Sequence, residues 1–252
     1  MKTEVRLERL SQPEAEKRLK STRLAVLAPG SVEQHGPHLP LGTDAFAANT
    51  LAEEVARKMD SVLVPLPLVG VSPYHLPWAG SLTLKPQTFI TVVEDICECL
   101  AKHGVERLLF VNWHEGNSPA LRLAGDSVQR KFNFRVVVAE SHFITNKMFG
   151  ERAKLTHAGN METAAVLMYD PSLVDLSKAT NPTPESEGDS GHEIFRQKDV
   201  YPIMYDFHEV AHTGWYGKPE EATLEFAEEI REKVSDYIVK RARVEFQRQR
   251  GK

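Results

Sequence analysis

The stretch LAVLAPGSVEQHGPHLPLGTD, residues 24–44, joins an apolar segment to a loop rich in glycine, proline and polar side chains. Residues 24–28 have the continuous apolar character of a buried strand. The loop contributes Glu33, His35 and Asp44, whose oxygen and imidazole donors suit divalent metal ions. The residues after Asp44 have helical spacing, so Asp44 is also predicted to be the N-cap of a helix. The stretch therefore predicts a strand, a polar loop and a helix in succession.

Strands and helices alternate along the rest of the chain. Residues 141–156 are ambiguous, and residues 171–218 show little periodicity. The alternation indicates an α/β fold with a mainly parallel sheet and helices on both faces, and no composition break divides residues 1–252 into two domains. Further strands are predicted at 61–66, 81–84, 107–111 and 134–139, and helices at 12–20, 86–103, 118–130, beyond a loop at 157 and from Pro219 onwards.

Composition excludes several classes of function. The chain has 252 residues, a formal net charge of −4, 41% hydrophobic and 26% charged residues, which favours a globular protein and argues against nucleic-acid binding. No apolar run approaches the ~18 residues of a membrane span, and the charged N-terminal segment does not resemble a signal peptide. Cys97 and Cys99 point to different faces of a predicted helix, so they form neither a disulfide nor a CxxC site, and a reducing cytoplasm is the expected location.

Two further polar clusters stand where a site is expected. One follows the strand at 107–111 directly, and the other lies at a helix entrance. In open parallel sheets, ligands bind beyond the carboxyl ends of the strands, so these clusters are predicted to converge with the loop at 29–44. Together they supply enough ligands for two metal ions bridged by a carboxylate, with one histidine left to carry protons. The clusters are Asn112, His114, Glu115 and Asn117, and His157, Asn160 and Glu162.

Three motifs together resemble the creatininase (creatinine amidohydrolase) family. They are PGSVEQHGPHLPLGTD at 29–44, NWHEGN at 112–117 and HAGNMET at 157–163. The resemblance extends from about residue 23 to residue 223. It implies a three-layer α/β/α fold, two divalent metal ions per chain (Zn, Mn or Fe), hydrolysis of cyclic or linear amides, and a homo-oligomer that is often a hexamer.

The resemblance also implies a role for each residue of the expected two-metal site. His157 resembles the family's catalytic histidine, which acts on the tetrahedral intermediate or the leaving group. A hydroxide that bridges the metals would attack the carbonyl of a small cyclic amide or formamide. The implied ligands are Glu33 and His114 for one metal, His35 and Glu162 for the other, and Asp44 for both.

Two departures make creatinine an unexpected substrate. Gly116 stands where true creatininases have a glutamate that adds a metal ligand, and Ala153, four residues before His157, leaves no tryptophan to cover the ring. The substrate pocket is predicted from aromatic and polar side chains near the motifs. Its predicted members are Tyr74, His75, Trp78, Trp113 and Glu115.

Several histidines and Asp44 also have simpler interpretations that do not involve this metal site. Asp44 alone is typical of a helix cap. His38 is expected either to orient the loop or to line the pocket. His142 and His192 are expected at the surface or in an interface. His208 and His212 fit the HExxH signature of zinc proteases, but Pro202 and Gly214 leave too little helix between them.

Two other functions compete with amide hydrolysis. The same metal site would serve a hydrolase that opens a cyclic keto-polyol, of the 3-dehydro-scyllo-inosose type, by breaking a C–C bond in inositol catabolism. A protein that binds a metal or a metabolite without catalysis is the third reading, and His157 beside a full set of ligands argues against it. A small-molecule substrate is expected in each case, with neither nucleic acid nor a membrane as partner.

Overall fold

The computed structural model describes residues 4–248. At its centre are four parallel strands in the order β2–β1–β3–β4. This arrangement confirms the mainly parallel sheet. The segment at 81–84, predicted as a strand, instead forms an isolated antiparallel bridge between Val32 and Leu82. The strands are β1 (Leu24–Leu27), β2 (Val62–Val64), β3 (Arg107–Asn112) and β4 (Arg135–Glu140).

Helices cover both faces of the sheet, as a three-layer fold requires. Successive strand residues point to opposite faces, so Val26 and Leu109 join one apolar cluster while Leu27 and Leu108 join the other. α2, α6 and α8 pack on the first face, and α3 and α4 on the second. The helices are α1 (Gln12–Thr22), α2 (Thr43–Lys58), α3 (Pro86–Lys102), α4 (Ser118–Phe132), α5 (Ser141–Phe149), α6 (Asn160–Tyr169), α7 (Glu185–Phe195) and α8 (Leu224–Gln247).

The structure corrects the predicted helix boundaries in the C-terminal half. Pro219 opens a separate 3₁₀ turn, Pro219–Glu221, and the final helix begins only at Leu224. The hydroxyl of Thr223 caps that helix by accepting a hydrogen bond from the amide of Phe226 at 3.1 Å. The ambiguous region 141–156 contains α5 and a short 3₁₀ turn.

The polar loops after β1 and β3 meet at the carboxyl end of the sheet. Asn117 joins them, because its side-chain amide donates to the Gly30 carbonyl at 2.9 Å and accepts from the Val71 amide at 2.9 Å. Asn112 braces the second loop by donating to the carbonyl of His114 at 2.8 Å. Through these bonds the two asparagines brace the loops that carry the polar clusters. Among residues 4–248, no helix has both the length and the apolar character needed to cross a membrane.

Candidate metal centre

Asp44 lies between two histidines that come from different loops. One carboxylate oxygen, Oδ1, is 3.5 Å from His35 Nε2, and the other, Oδ2, is 3.0 Å from His114 Nδ1. Asp44 is not the predicted N-cap: the cap position of α2 is Gly42, and Asp44 lies inside the first turn. The carboxylate is buried, and Oδ2 has no hydrogen-bond partner within the described chain. Its position suits a carboxylate shared between two cations.

The ring of His35 presents a free nitrogen to the site. Its Nδ1 is 3.1 Å from the carbonyl oxygen of Glu33, which can only accept, so Nδ1 carries the proton. In the neutral ring, Nε2 holds the lone pair, and this buried atom has no hydrogen-bond partner among residues 4–248. It is 3.7 Å from Oε2 of Glu162. A histidine held through one nitrogen by a carbonyl is typical of a metal ligand that binds through the other.

His114 is held in the same way on the opposite side of Asp44. Its Nε2 is 3.0 Å from the carbonyl oxygen of Val71, so the Nε2 proton is donated there, and in the neutral ring the Nδ1 lone pair faces Asp44. Glu33 is close by, with Oε2 3.4 Å from His114 Nε2. That same oxygen accepts a hydrogen bond from the hydroxyl of Ser72 at 2.5 Å. The structure therefore brings Glu33 and His114 together.

Three buried carboxylates, those of Glu33, Asp44 and Glu162, give the centre a negative charge that favours cation binding. Burial alone would lower the pKa of His35, but the carboxylates of Asp44 and Glu162 outweigh it and raise that pKa to about 10. Burial would also lower the pKa of His114, but the carboxylates of Glu33 and Asp44 outweigh it and raise that pKa to about 9. Without metal the carboxylates thus recruit protons onto the histidines, because buried negative charge requires compensation. Divalent cations compensate the same charge, so the donor set fits them.

Ligand atoms from three sets of side chains converge closely enough to hold an ion. Within each set, the ligand atoms lie within 4.8 Å of one another. His114 belongs to none of the three sets, although its contacts with Asp44 and Glu33 place it at the edge of the same cluster. The sets are Glu33 with His35 and Asp44, His35 with His157 and Glu162, and Glu33 with His75 and His157.

His157 lies at the centre with its tautomer fixed. Nε2 is 2.7 Å from the carbonyl oxygen of Gln34, so it carries the proton, and Nδ1 faces Glu162 with 3.9 Å between Nδ1 and Oε2. The ring lies between His35 and His75, with centroid distances of 4.5 and 4.7 Å. Burial, followed by the charge of His35, lowers the pKa of His157 well below its usual value. The side chain is therefore a neutral imidazole with a free Nδ1 lone pair.

His75 is not free to bind a metal in the same way. The side-chain oxygen of Gln34 accepts from the Gly36 amide at 3.1 Å, and its nitrogen donates to the Gly214 carbonyl at 2.5 Å. This fixes the amide orientation, so the same nitrogen also donates to Nδ1 of His75 at 3.1 Å. The Nε2 proton of His75 then faces Oε1 of Glu33 at 3.3 Å. His75 thus supports Glu33 through an N–H group.

A cavity of about 420 Å³ opens onto the centre. Four of the five predicted substrate-binding residues line it: Tyr74, His75, Trp113 and Glu115. Trp78 does not, because it stacks on the ring of His208 at a centroid distance of 4.2 Å. His208 itself lies in a 3₁₀ turn of three residues, Phe207–Glu209, which is too short to place two histidines on one helical face. The HExxH reading is therefore rejected.

The outer part of the cavity contains residues that the sequence did not indicate. Arg196 donates to Glu115 through Nη2 at 2.8 Å and Nε at 3.2 Å, and to the Leu155 carbonyl through Nη1 at 3.1 Å. His142 and His192 also line the cavity, so the expected surface positions are wrong. His142 is buried, and both ring nitrogens lack partners within the described chain. His38 holds the first loop through Nε2, 2.9 Å from the Ala158 carbonyl, as predicted.

Comparison with known proteins explains this arrangement. The family model described as creatinine amidohydrolase matches residues 8–242. The chain belongs to the creatininase family. Among its relatives is the mycofactocin precursor peptide peptidase of Mycobacterium ulcerans, 33% identical over 67% of this chain and 68% of that protein. The creatinine amidohydrolase of Pseudomonas putida is 26% identical, covering 77% and 80%. The 3-dehydro-scyllo-inosose hydrolase of Thermotoga maritima is 25% identical, covering 96% and 83%.

Solved creatininase structures share the fold. A crystal structure of creatinine amidohydrolase superposes with a TM-score of 0.80 at 25% identity, over 97% of this chain and 99% of the other. A manganese form gives a TM-score of 0.81, and a variant of Zn–Zn type gives 0.80, both at 25% identity over 98% and 100% of the two chains. This member of the creatininase family is therefore a metal-dependent hydrolase.

The backbone at Gly116 leaves no room for any side chain. A Cβ atom there would lie 2.1 Å from Tyr74 Oη, 2.4 Å from the Val71 carbonyl oxygen and 2.5 Å from His114 Nε2. We expect Gly116→Ala to lower the free energy of unfolding by about 1–3 kcal/mol through overpacking, measured by chemical denaturation. Gly125→Ala is the matched control, since its Cβ meets only Val136 Cγ1, at 3.4 Å. That helical change is expected to stabilise by up to about 1 kcal/mol. Equal effects of the two changes would contradict the crowding at Gly116.

Proposed function

We propose that this chain is a dinuclear metal hydrolase that cleaves a C–N bond in a small cyclic amide or a formamide other than creatinine. The observation that carries the proposal is the position of Asp44. Its two oxygens face His35 Nε2 and His114 Nδ1, the nitrogens that carry the lone pairs when the rings are neutral, because the other nitrogens are held by backbone carbonyls. This is the arrangement that two cations sharing one carboxylate require.

The proposed ligand sets follow the two sides of Asp44. Glu33 and His114 hold one ion, and His35 and Glu162 hold the other. When bound, divalent ions such as Zn, Mn or Fe polarise a carbonyl group and lower the pKa of water from 15.7 to about 7. Ser72 and His75 fix the orientation of Glu33, and the amide of Ala158 fixes Glu162 by donating to Oε2 at 2.5 Å.

His157 is proposed as the proton carrier. Its free Nδ1 faces the centre, whereas the Nε2 proton is committed to the Gln34 carbonyl. When Nδ1 takes up a proton, the hydrogen bond to Gln34 stabilises the charged ring. Nδ1 then returns that proton to the leaving nitrogen, which allows the C–N bond to break without forming an amide anion.

The cavity supports a small polar substrate with an apolar side. Its volume of about 420 Å³ is in the range of small-molecule sites. Trp113, Tyr74 and His75 form its inner wall, and the Glu115–Arg196 ion pair offers charged groups near its mouth. Creatinine is not the proposed substrate, because the crowding at Gly116 excludes the additional carboxylate ligand that the resemblance associates with true creatininases.

Ring opening at a C–C bond is the second candidate. The observation in its favour is the similarity to the inosose hydrolase of Thermotoga maritima, which covers 96% of this chain. Product analysis separates the two: incubation of the metal-loaded protein with a metabolite mixture should release ammonia or a primary amine if a C–N bond breaks. An acid product formed without any amine would favour the C–C reaction.

Metal stoichiometry tests the centre itself. We expect elemental analysis of the protein, loaded with Zn or Mn and freed of excess ion, to give two ions per chain. A chelator should abolish turnover, and re-addition of the ion should restore it. A folded protein that binds no ion under these conditions would contradict the proposal.

A homo-oligomer, with a hexamer favoured, is also part of the proposal. Val200, Ile203 and Tyr205 are 84–88% exposed, and exposed apolar side chains of this size favour self-association. The proposed assembly consists of single-domain chains, and its size would be measured by light scattering.

A further inference from the structure

The hydroxyl of Tyr74 faces the cavity without a partner. Among residues 4–248 it makes no hydrogen bond within the protein, whereas the Tyr216 hydroxyl is bonded to His192 and to the Leu155 carbonyl. Tyr74 lines the cavity together with Glu33 and His114. A phenol donates a hydrogen bond at neutral pH, since its ordinary pKa is about 10. The Tyr74 hydroxyl is therefore a hydrogen-bond donor that has no acceptor within the described chain.

The backbone that carries Tyr74 is tied to the metal centre on both sides. Ser72 donates to Glu33 through its hydroxyl at 2.5 Å, and the Val71 carbonyl accepts from His114 Nε2 at 3.0 Å. His75, the next residue, faces Glu33 with 3.3 Å between Nε2 and Oε1. Tyr74 therefore lies in a short turn between residues, Ser72 and His75, that contact the proposed ligand Glu33. Because these contacts hold the turn, the Tyr74 hydroxyl is positioned before the substrate binds, as electrostatic stabilisation of a transition state requires.

The Tyr74 hydroxyl lies next to the backbone of Gly116, which has no side chain. The point at which a Cβ would stand is 2.1 Å from Tyr74 Oη and 2.5 Å from His114 Nε2. The phenol oxygen therefore lies near Nε2 of the proposed ligand His114, in space that only a glycine at 116 leaves open. Glycine at this position and tyrosine at 74 together place a hydroxyl beside the Glu33–His114 half of the centre.

We propose that Tyr74 is a catalytic residue that donates a hydrogen bond to the carbonyl oxygen of the substrate and to the oxyanion that develops from it. This inference rests on the proposed hydrolysis at the same centre. Tyr74 neither gains nor loses its proton; the bond strengthens as negative charge builds on the substrate oxygen, which selectively stabilises the transition state. The predicted substrates therefore carry a carbonyl group whose oxygen can reach the Glu33–His114 side of the cavity.

Tyr74→Phe tests the inference because it removes only the hydroxyl. We expect kcat to fall about 10²–10³-fold with KM nearly unchanged, as for other lost oxyanion donors. Acetate serves as a probe that needs no known substrate, since a carboxylate presents an acceptor oxygen to the same donor. Isothermal titration of the two-metal protein should show acetate binding at least about tenfold more weakly in the variant.

Controls separate this role from a structural one and from the proposed function. Tyr169→Phe makes the same chemical change at a side chain that is 46% exposed and does not line the cavity, and it should alter neither kcat nor acetate affinity. Tyr74→Phe should retain two ions per chain and the wild-type melting temperature. Unchanged acetate affinity and kcat in a metal-loaded variant would overturn the inference, as would a loss explained entirely by lost metal. A wild-type protein without metal would instead overturn the proposed function.

Discussion

Asp44→Ala is expected to remove both metal ions from the protein, reducing the content from two per chain to near zero and turnover to background. The reason is geometric: among the described residues, Asp44 is the one carboxylate whose two oxygens face ligands of both proposed sets, at 3.5 Å from His35 and 3.0 Å from His114. Without it, His35 and Glu162 lose their link to Glu33 and His114. Neither remaining pair supplies the three or four protein ligands that a tightly bound ion needs.

Elemental analysis after loading with Zn or Mn measures this result, and far-UV circular dichroism checks the fold. Glu33→Gln provides the contrast, because Glu33 belongs to one set only and its loss should remove one ion. Asp126→Ala is the surface control: Asp126 also lies within a helix, but it pairs only with exposed Arg130. If Asp44→Ala retained one ion, Asp44 would belong to a single site and the bridging assignment would be wrong.

The sheet was predictable because its strands are buried on both faces. Such strands appear in the sequence as short, continuous apolar runs, and those at 107–111 and 134–139 became β3 and β4 within one residue at each end. Helix α7 was missed for the opposite reason. Its packing depends on Gly188, where a Cβ would stand 2.4 Å from the Tyr216 ring, and on Gly191, where it would stand 2.8 Å from Val210. Close packing through glycine leaves no apolar periodicity to detect.

The ligand candidates were predictable in identity but not in geometry. Glu33, His35 and Asp44 stand in one loop, and the motifs supplied His114 and Glu162. Which ring nitrogen faces the metal depends on backbone carbonyls that no side-chain pattern indicates. Those carbonyls belong to Glu33, Gln34 and Val71.

The role of Arg196 could not be predicted from the sequence, for a different reason. It lies in the region without periodicity, 81 residues from Glu115, and only the folded chain pairs them. The same is true of His142 and His192, which reach the cavity from α5 and α7.

His157→Ala is expected to lower kcat by about 10²–10⁴-fold, the usual contribution of a general acid or base. The two ions should remain, because the proposed ligands do not include this ring. However, the ring of His157 is close enough to His35 and Glu162 for all three to bind one ion. Metal content therefore decides between the roles: retained metal with lost turnover identifies a proton carrier, whereas loss of one ion identifies a ligand.

Added imidazole provides a second, independent readout. The alanine variant leaves a buried space between the rings of His35 and His75, which are 4.5 and 4.7 Å from the ring of His157. Free imidazole fits that space and offers the same lone pair, so it should restore part of kcat in a concentration-dependent way. His212→Ala, a change at a side chain that is 61% exposed, should leave kcat unaffected and gain nothing from imidazole. Full activity of His157→Ala would refute the catalytic assignment, because no other histidine of the described chain presents a free, neutral ring nitrogen next to both His35 and Glu162.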